Sequence, residues 1–122
     1  MADARILFLE DEEFIRLIVA EALAEAGLAV TEAASGEAAV ALLDEQPGFD
    51  LLLADVHVPG RLSGIDVARH ARSRWPGMPV VFVTGRPDAL HASGLSGLRD
   101  RYVLKPYRPT EVLAAIQSSL AP

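Results

Sequence analysis

The sequence predicts a doubly wound α/β domain built on a parallel, five-stranded sheet. Five short apolar runs alternate with segments whose apolar residues recur at helical spacing. Every link between successive runs is too long for a hairpin, which implies right-handed crossovers with helices on both faces of the sheet. Two of the runs, residues 51–54 and 80–83, are apolar without alternation, as expected of strands covered on both sides.

Residues 5–9 form the first strand and run straight into Glu10, Asp11, Glu12 and Glu13. The first helix carries Ile15, Ile18, Val19, Ala22, Leu23 and Ala26 as its expected buried stripe and stops at Gly27. Glu12 and Glu13 also suit the positive end of that helix. Residues 28–33 make a mixed strand polar enough for a sheet edge. Ser35 is a natural N-cap for a helix over 36–44, with Ala38, Ala39, Leu42 and Leu43 inward. The third strand ends at Asp55, ahead of the Pro59-Gly60 turn. A loop through Arg61, Leu62, Ser63 and Gly64 precedes a helix over roughly 65–74, broken at Trp75-Pro76-Gly77. The fourth strand reaches Thr84-Gly85. Residues 88–101 are interrupted by Gly94, Ser96 and Gly97, so only a short fourth helix is expected there. Tyr102-Val103-Leu104 is the fifth strand, meeting Lys105-Pro106. Pro109 opens a last helix with Val112, Leu113, Ile116 and Leu120 inward.

A chain of 122 residues, 51% hydrophobic and 23% charged, fits one domain with a proper core. A net charge of -6 repels phosphates on average, which argues against a nucleic-acid surface or an anionic membrane as partner. Without cysteine there is no disulfide, thiol catalysis or thiolate-bound metal, and a reducing compartment suits such a chain. No basic leader and no long apolar run is visible, so a cytoplasmic location is expected. Nothing follows the last helix, so no second domain is expected either.

In a parallel sheet all C-terminal strand ends share one edge, where ligands gather. That edge would collect Glu10 and Asp11, Asp55, Thr84, and Lys105, the last being the only lysine in the chain. Converging carboxylates need a cation: at ~4 Å a pair repels by about 4 kcal/mol at an effective dielectric near 20. Hard oxygen ligands with no His or Cys cluster favour Mg²⁺. With Lys105 as a fixed positive charge and Thr84 as a hydroxyl donor, the set suits a phosphoryl group arriving on Asp55.

These residues resemble the receiver domain of two-component response regulators over essentially the whole length, 1–122. The likeness rests on the acidic pair after the first strand, Asp55-Val56-His57-Val58-Pro59-Gly60, Thr84-Gly85, and Tyr102-Val103-Leu104-Lys105-Pro106. It implies a flavodoxin-like (βα)5 fold with strand order 2-1-3-4-5. Asp55 would accept a phosphoryl group from a sensor histidine kinase or a histidine phosphotransfer protein. Asp11, Asp55 and the backbone carbonyl of His57 would hold Mg²⁺, with Glu10 acting directly or through water. Lys105, joined to Pro106 by a cis bond, would pair with the phosphoryl oxygens; Thr84 and Tyr102 would be the switch residues, Tyr102 turning inward. The resemblance implies a signalling domain rather than an enzyme, monomeric or weakly dimeric, acting on a downstream protein partner or an output domain absent from this sequence.

Departures from the family pattern are specific. Glu10 stands where aspartate is commoner, His57 sits two residues past the expected acceptor, where its side chain would flank a phosphoryl group, and Arg86-Pro87 follows Thr84-Gly85. A flavin module of the same architecture would need a glycine- and hydroxyl-rich phosphate loop where this chain has four acids. A haloacid dehalogenase-type phosphatase would carry a second acid at the position of His57. A pseudo-receiver, working without phosphorylation, is the alternative; it would lack the acceptor, an acid or the lysine, and all are present.

Overall fold

A computed structural model describes residues 3–94 and 100–121. Its elements are β1 (Arg5–Leu9), α1 (Glu13–Glu25), β2 (Ala29–Ala33), α2 (Gly36–Glu45), β3 (Leu51–Asp55), α3 (Gly64–Arg74), β4 (Val80–Thr84), α4 (Pro87–Ala92), β5 (Asp100–Leu104) and α5 (Pro109–Leu120). The strands pair in parallel in the order β2-β1-β3-β4-β5, as expected.

Alternation along each strand divides the core into two layers. Leu7, Leu9, Leu52, Ala54, Val80 and Phe82 pack under Ala39 and Leu43 of α2, Val67 and Ala71 of α3, and Leu90 of α4. Ile6, Phe8, Leu51, Leu53, Val81 and Val83 face Val19 and Leu23 of α1 and Val112 and Ile116 of α5. Every residue of β3 and β4 is buried, whereas the edge strand β2 buries only Ala33 fully. This sandwich holds the strand ends rigidly in one row.

Helix ends follow side-chain chemistry. Ser35 Oγ accepts the Ala38 N–H at 3.1 Å. Ser63 and Asp66 exchange reciprocal bonds at the start of α3, a capping box that anchors the loop leaving Asp55. Glu37 on α2 accepts the Leu62 N–H at 3.0 Å and holds the same loop from the side.

Gly64 is needed where α3 meets β3. Its N–H donates to Val56 O at 3.1 Å, and a Cβ there would overlap the Asp55 carbonyl oxygen. Backbone cannot swing aside as a side chain does, so Gly64→Ala is expected to cost about 1–3 kcal/mol through overpacking. The midpoint of urea unfolding reads this out; an unchanged midpoint contradicts it.

Three details differ from the sequence reading. Ile18 and Ala26 are exposed while Ala20 is buried: the line Ile15, Val19, Leu23 faces the sheet, and Ile18 lies about 100° round from Val19. With Phe14 at 76% and Leu17 at 52% exposure, α1 therefore carries an outward apolar strip. β5 begins at Asp100, two residues before the expected start, because it pairs with β4 from Val80 onward. α4 is short, as expected, and starts at Pro87; the rest of that segment, 95–99, lies outside the described residues. His70 of α3 bonds Asp44 Oδ1 at 2.9 Å.

Candidate functional site

β1, β3, β4 and β5 end side by side, and their ends are tied by backbone bonds: Val56 N to Val83 O at 3.0 Å and Lys105 N to Thr84 O at 2.9 Å. Asp55, the last residue of β3, is 2% exposed. Its Oδ2 accepts the Lys105 ammonium at 2.8 Å, and its Oδ1 accepts the His57 backbone N–H at 3.0 Å. The chain turns back at His57 so that its amide faces the acid, while the imidazole is exposed.

Glu10 is 1% exposed. One oxygen, Oε2, accepts the Glu12 N–H at 3.2 Å; the other, Oε1, is buried with no partner among the described residues. Oxygens of Glu10, Asp11 and Asp55 all lie within 4.8 Å of one another. Burial is the main cause that raises the Glu10 carboxyl to about 7, with the Asp55 and Asp11 charges adding, against the Glu12 amide and Lys105. Burial alone would lower the Lys105 ammonium; the hydrogen bond and charge of Asp55, with Glu10 and Glu12, outweigh it and leave its affinity for the proton raised.

Thr84, wholly buried at the end of β4, accepts the Arg86 N–H on Oγ1 at 2.9 Å. The Lys105-Pro106 bond is cis, as the resemblance implied. Tyr102 is placed differently from the rest: its ring is 41% exposed and meets His91 of α4 edge-on at 5.7 Å. The fold thus gathers Glu10, Asp11, Asp55 and Lys105, sets Thr84 beside them in the row of strand ends, and leaves Tyr102 on the outside.

Two contributors escaped the sequence reading. Arg16 Nη1 donates to Glu10 O at 2.9 Å and its Nε pairs with Glu32 at 3.2 Å, fastening the end of β1 to α1 and β2. Tyr107 has a buried hydroxyl without a partner among the described residues, and its acidity is suppressed. Burial, then the charges of Glu10, Asp55 and Glu12, push it up to about 12. The Lys105-Pro106-Tyr107 order puts a phenol two residues from the lysine, which was the available signal.

A lysine-paired acid among further acids, on the carboxyl edge of a doubly wound sheet, defines a class of signalling receiver. The chain belongs to the response regulator receiver domain family, which matches residues 6–117. It is 37% identical over 116 residues to the sensory transduction protein RegX3 of Mycobacterium tuberculosis, covering 94% of this chain and 50% of that protein. It is 34% identical over 117 residues to the uncharacterized transcriptional regulatory protein YrkP of Bacillus subtilis, covering 95% of this chain and 49% of that one. The chain thus spans about half the length of these curated relatives. Among solved structures it resembles a response regulator receiver protein of Sinorhizobium medicae, with TM-score 0.87, 28% identity, and coverage of 97% and 94%. Chemotaxis protein CheY4 of Vibrio cholerae is similar too, with TM-score 0.86, 28% identity, and coverage of 98% and 100%. No helix among the described residues is long and apolar enough to cross a membrane.

Proposed function

We propose that this domain, taken as residues 1–122, accepts a phosphoryl group on Asp55 and thereby regulates a protein partner. The donor is the phosphohistidine of a sensor histidine kinase or histidine phosphotransfer protein, and the compartment is the cytoplasm. The reading rests above all on the 2.8 Å pairing of the one lysine with Asp55 inside a cluster of three carboxylates. Such a pocket has one fixed cation for three acids, so it suits a further divalent ion and an incoming anion.

The residues present fit Mg²⁺: hard oxygens within 4.8 Å, one of them buried without a partner. Glu10, Asp11 and Asp55, with the His57 carbonyl, would hold it. When bound, the ion would neutralise charge on the carboxylates and on the phosphoryl oxygens.

An Asp55 carboxylate oxygen attacks phosphorus while the phosphorus–nitrogen bond to the donor imidazole breaks, giving an acyl phosphate and a free histidine. Lys105 already points at the carboxylate and transfers its hydrogen bond to a phosphoryl oxygen with little movement, so its charge is preorganised. The Thr84 hydroxyl keeps accepting the Arg86 amide on one lone pair and donates its proton to the phosphoryl group, since a hydroxyl does both. Drawing Thr84 toward Asp55 opens room along β4 and β5 into which Tyr102 turns, leaving its edge contact with His91. The partner reads that change in population between two surfaces.

Incubation with acetyl phosphate, with and without Mg²⁺, followed by intact mass tests this directly. A phosphate's gain that requires Mg²⁺ and vanishes in Asp55→Asn is expected. Gain in the asparagine variant moves the acceptor elsewhere and overturns the assignment.

A further inference from the structure

Glu10 and Asp11 sit on the turn from β1 to α1, and one residue holds that turn from both ends. The Glu10 N–H donates to Ala33 O at 3.0 Å, which closes the pairing of β1 with β2. Beyond it, the Glu10 carbonyl accepts Arg16 Nη1 at 2.9 Å, and the Glu12 carbonyl accepts the Arg16 backbone N–H at 2.9 Å. The Glu12 N–H in turn donates to Glu10 Oε2 at 3.2 Å. Each of these groups belongs to a planar peptide unit, so holding the Glu10 carbonyl fixes the plane before Asp11, and holding the Glu12 N–H fixes the plane after it. The backbone dihedrals of Asp11 are the rotations of those two planes about its Cα. With both planes held, the direction of its Cβ is held as well.

We propose that Arg16 is a positioning residue for the cation site: through its bond to the Glu10 carbonyl it sets the direction in which the Asp11 carboxylate meets a divalent cation. A planar guanidinium suits the task because it serves two acceptors at once. Nε pairs with Glu32 of β2 at 3.2 Å while Nη1 reaches the Glu10 carbonyl, and with the side chain 16% exposed, water competes poorly for either bond. Arg16 is no ligand, since a guanidinium has no lone pair to offer a cation. Nor does it act by charge: it is paired with Glu32, and the charges acting most on the Glu10 carboxyl are those of Asp55, Lys105 and Asp11. The inference rests on the proposed Mg²⁺-dependent reading of Asp55.

The two ways in which Arg16 could influence the ion have opposite signs. A fixed cation repels a second one, so if charge alone mattered, removing Arg16 would tighten Mg²⁺ binding. Loss of a group that orients metal ligands weakens binding, by roughly 10- to 100-fold. Mg²⁺ itself is the probe, titrated calorimetrically into the full chain as wild type, Arg16→Met and Glu32→Gln. Arg16→Met keeps much of the stem and is expected to raise the Mg²⁺ dissociation constant about 10-fold, the low end because the Arg16 backbone still holds Glu12. Glu32→Gln breaks the ion pair but leaves the bond to the Glu10 carbonyl, so a change below about 2-fold is expected. In EDTA, the three-bond coupling between the Asp11 amide and Hα protons reads φ without any metal. It is expected to move toward the value of a freely averaging residue in Arg16→Met and to stay in place in Glu32→Gln. Should Arg16→Met fail to fold, Arg16→Lys carries the same test with the same sign, because one ammonium replaces the fork that serves two acceptors.

Unchanged or tighter Mg²⁺ binding in Arg16→Met overturns the proposal, and so does an Asp11 coupling that keeps its wild-type value. Equal weakening in Glu32→Gln also overturns it, since the ion pair would then be what matters. If the wild type binds Mg²⁺ and gains phosphate on Asp55 while Arg16→Met binds Mg²⁺ unchanged, only the role of Arg16 falls. A wild type that neither binds Mg²⁺ nor gains phosphate overturns both readings.

Discussion

Replacing Lys105 by methionine is expected to slow phosphorylation by acetyl phosphate by roughly 10²–10³-fold, the usual loss when one preorganised electrostatic group is removed from a developing charge. The reason lies in the count of charges. Three carboxylates share one small volume, and Lys105 is the fixed cation bonded to the one at its centre. Methionine keeps the length and packing of the stem but leaves the negative charge of the incoming phosphoryl oxygens without a partner. The same change removes the partner of a carboxylate that is 2% exposed. Breaking a fully buried pair costs about 3–5 kcal/mol; with the Lys105 side chain 34% exposed, water replaces part of the loss, and about 2 kcal/mol is expected. Adding Asp55→Asn to Lys105→Met should restore much of that stability, because it deletes the stranded charge. Phosphorylation rates from intact mass and urea midpoints of the single and double variants check both parts. Undiminished phosphorylation in Lys105→Met contradicts the role assigned to the lysine.

How far these roles were legible depended on how much each one needs the third dimension. Strands β3 and β4 were readable because residues covered on both faces must be apolar throughout, and only such strands leave runs like Leu51-Leu52-Leu53-Ala54. Parallel pairing then brought Glu10, Asp11, Asp55, Thr84 and Lys105 to one edge without any knowledge of distances. Side-chain direction was a different matter. Ile18 looks like a core residue in one dimension, yet it lies a third of a turn away from the sheet, beside Phe14 and Leu17. Burial depth was hidden too: nothing in the run Glu10-Asp11-Glu12-Glu13 shows that Glu10 is enclosed while Glu12 is exposed. The enclosure of the Tyr107 hydroxyl was unreadable for the same reason, since a phenol after Lys-Pro gives no sign in one dimension of how deeply it is buried.

That enclosure of Glu10 yields the other large effect, a dependence of stability on pH in metal-free buffer. Its carboxyl is raised from 4.5 to about 7 by burial and by the neighbouring Asp55 and Asp11. Between those values the folded chain holds a proton that the unfolded chain has released. Stability from this group therefore falls as pH rises through the window, by about 3 kcal/mol in all. The other groups whose proton affinities are shifted do not mask this. Lys105 is raised and stays charged across the window, and Asp44, lowered by His70 and Arg74, acts only at more acid pH. Glu10→Gln keeps the shape and removes the titration. In EDTA, the variant and the wild type should be similarly stable near about pH 4, whereas near about pH 8 the variant should be the more stable. Urea unfolding at the two pH values reads the difference, and parallel behaviour of the two proteins contradicts it. On the proposed reading, Mg²⁺ should reverse the order at the higher pH: it would bind the folded wild type through the ionised carboxylate and stabilise it by mass action, while glutamine would offer a weaker ligand. Glu10 is thus a cost to the cation-free fold, and on the proposed reading it would become a contact once the cation binds, coupling the stability of the receiver to the ion proposed to ready Asp55 for phosphoryl transfer.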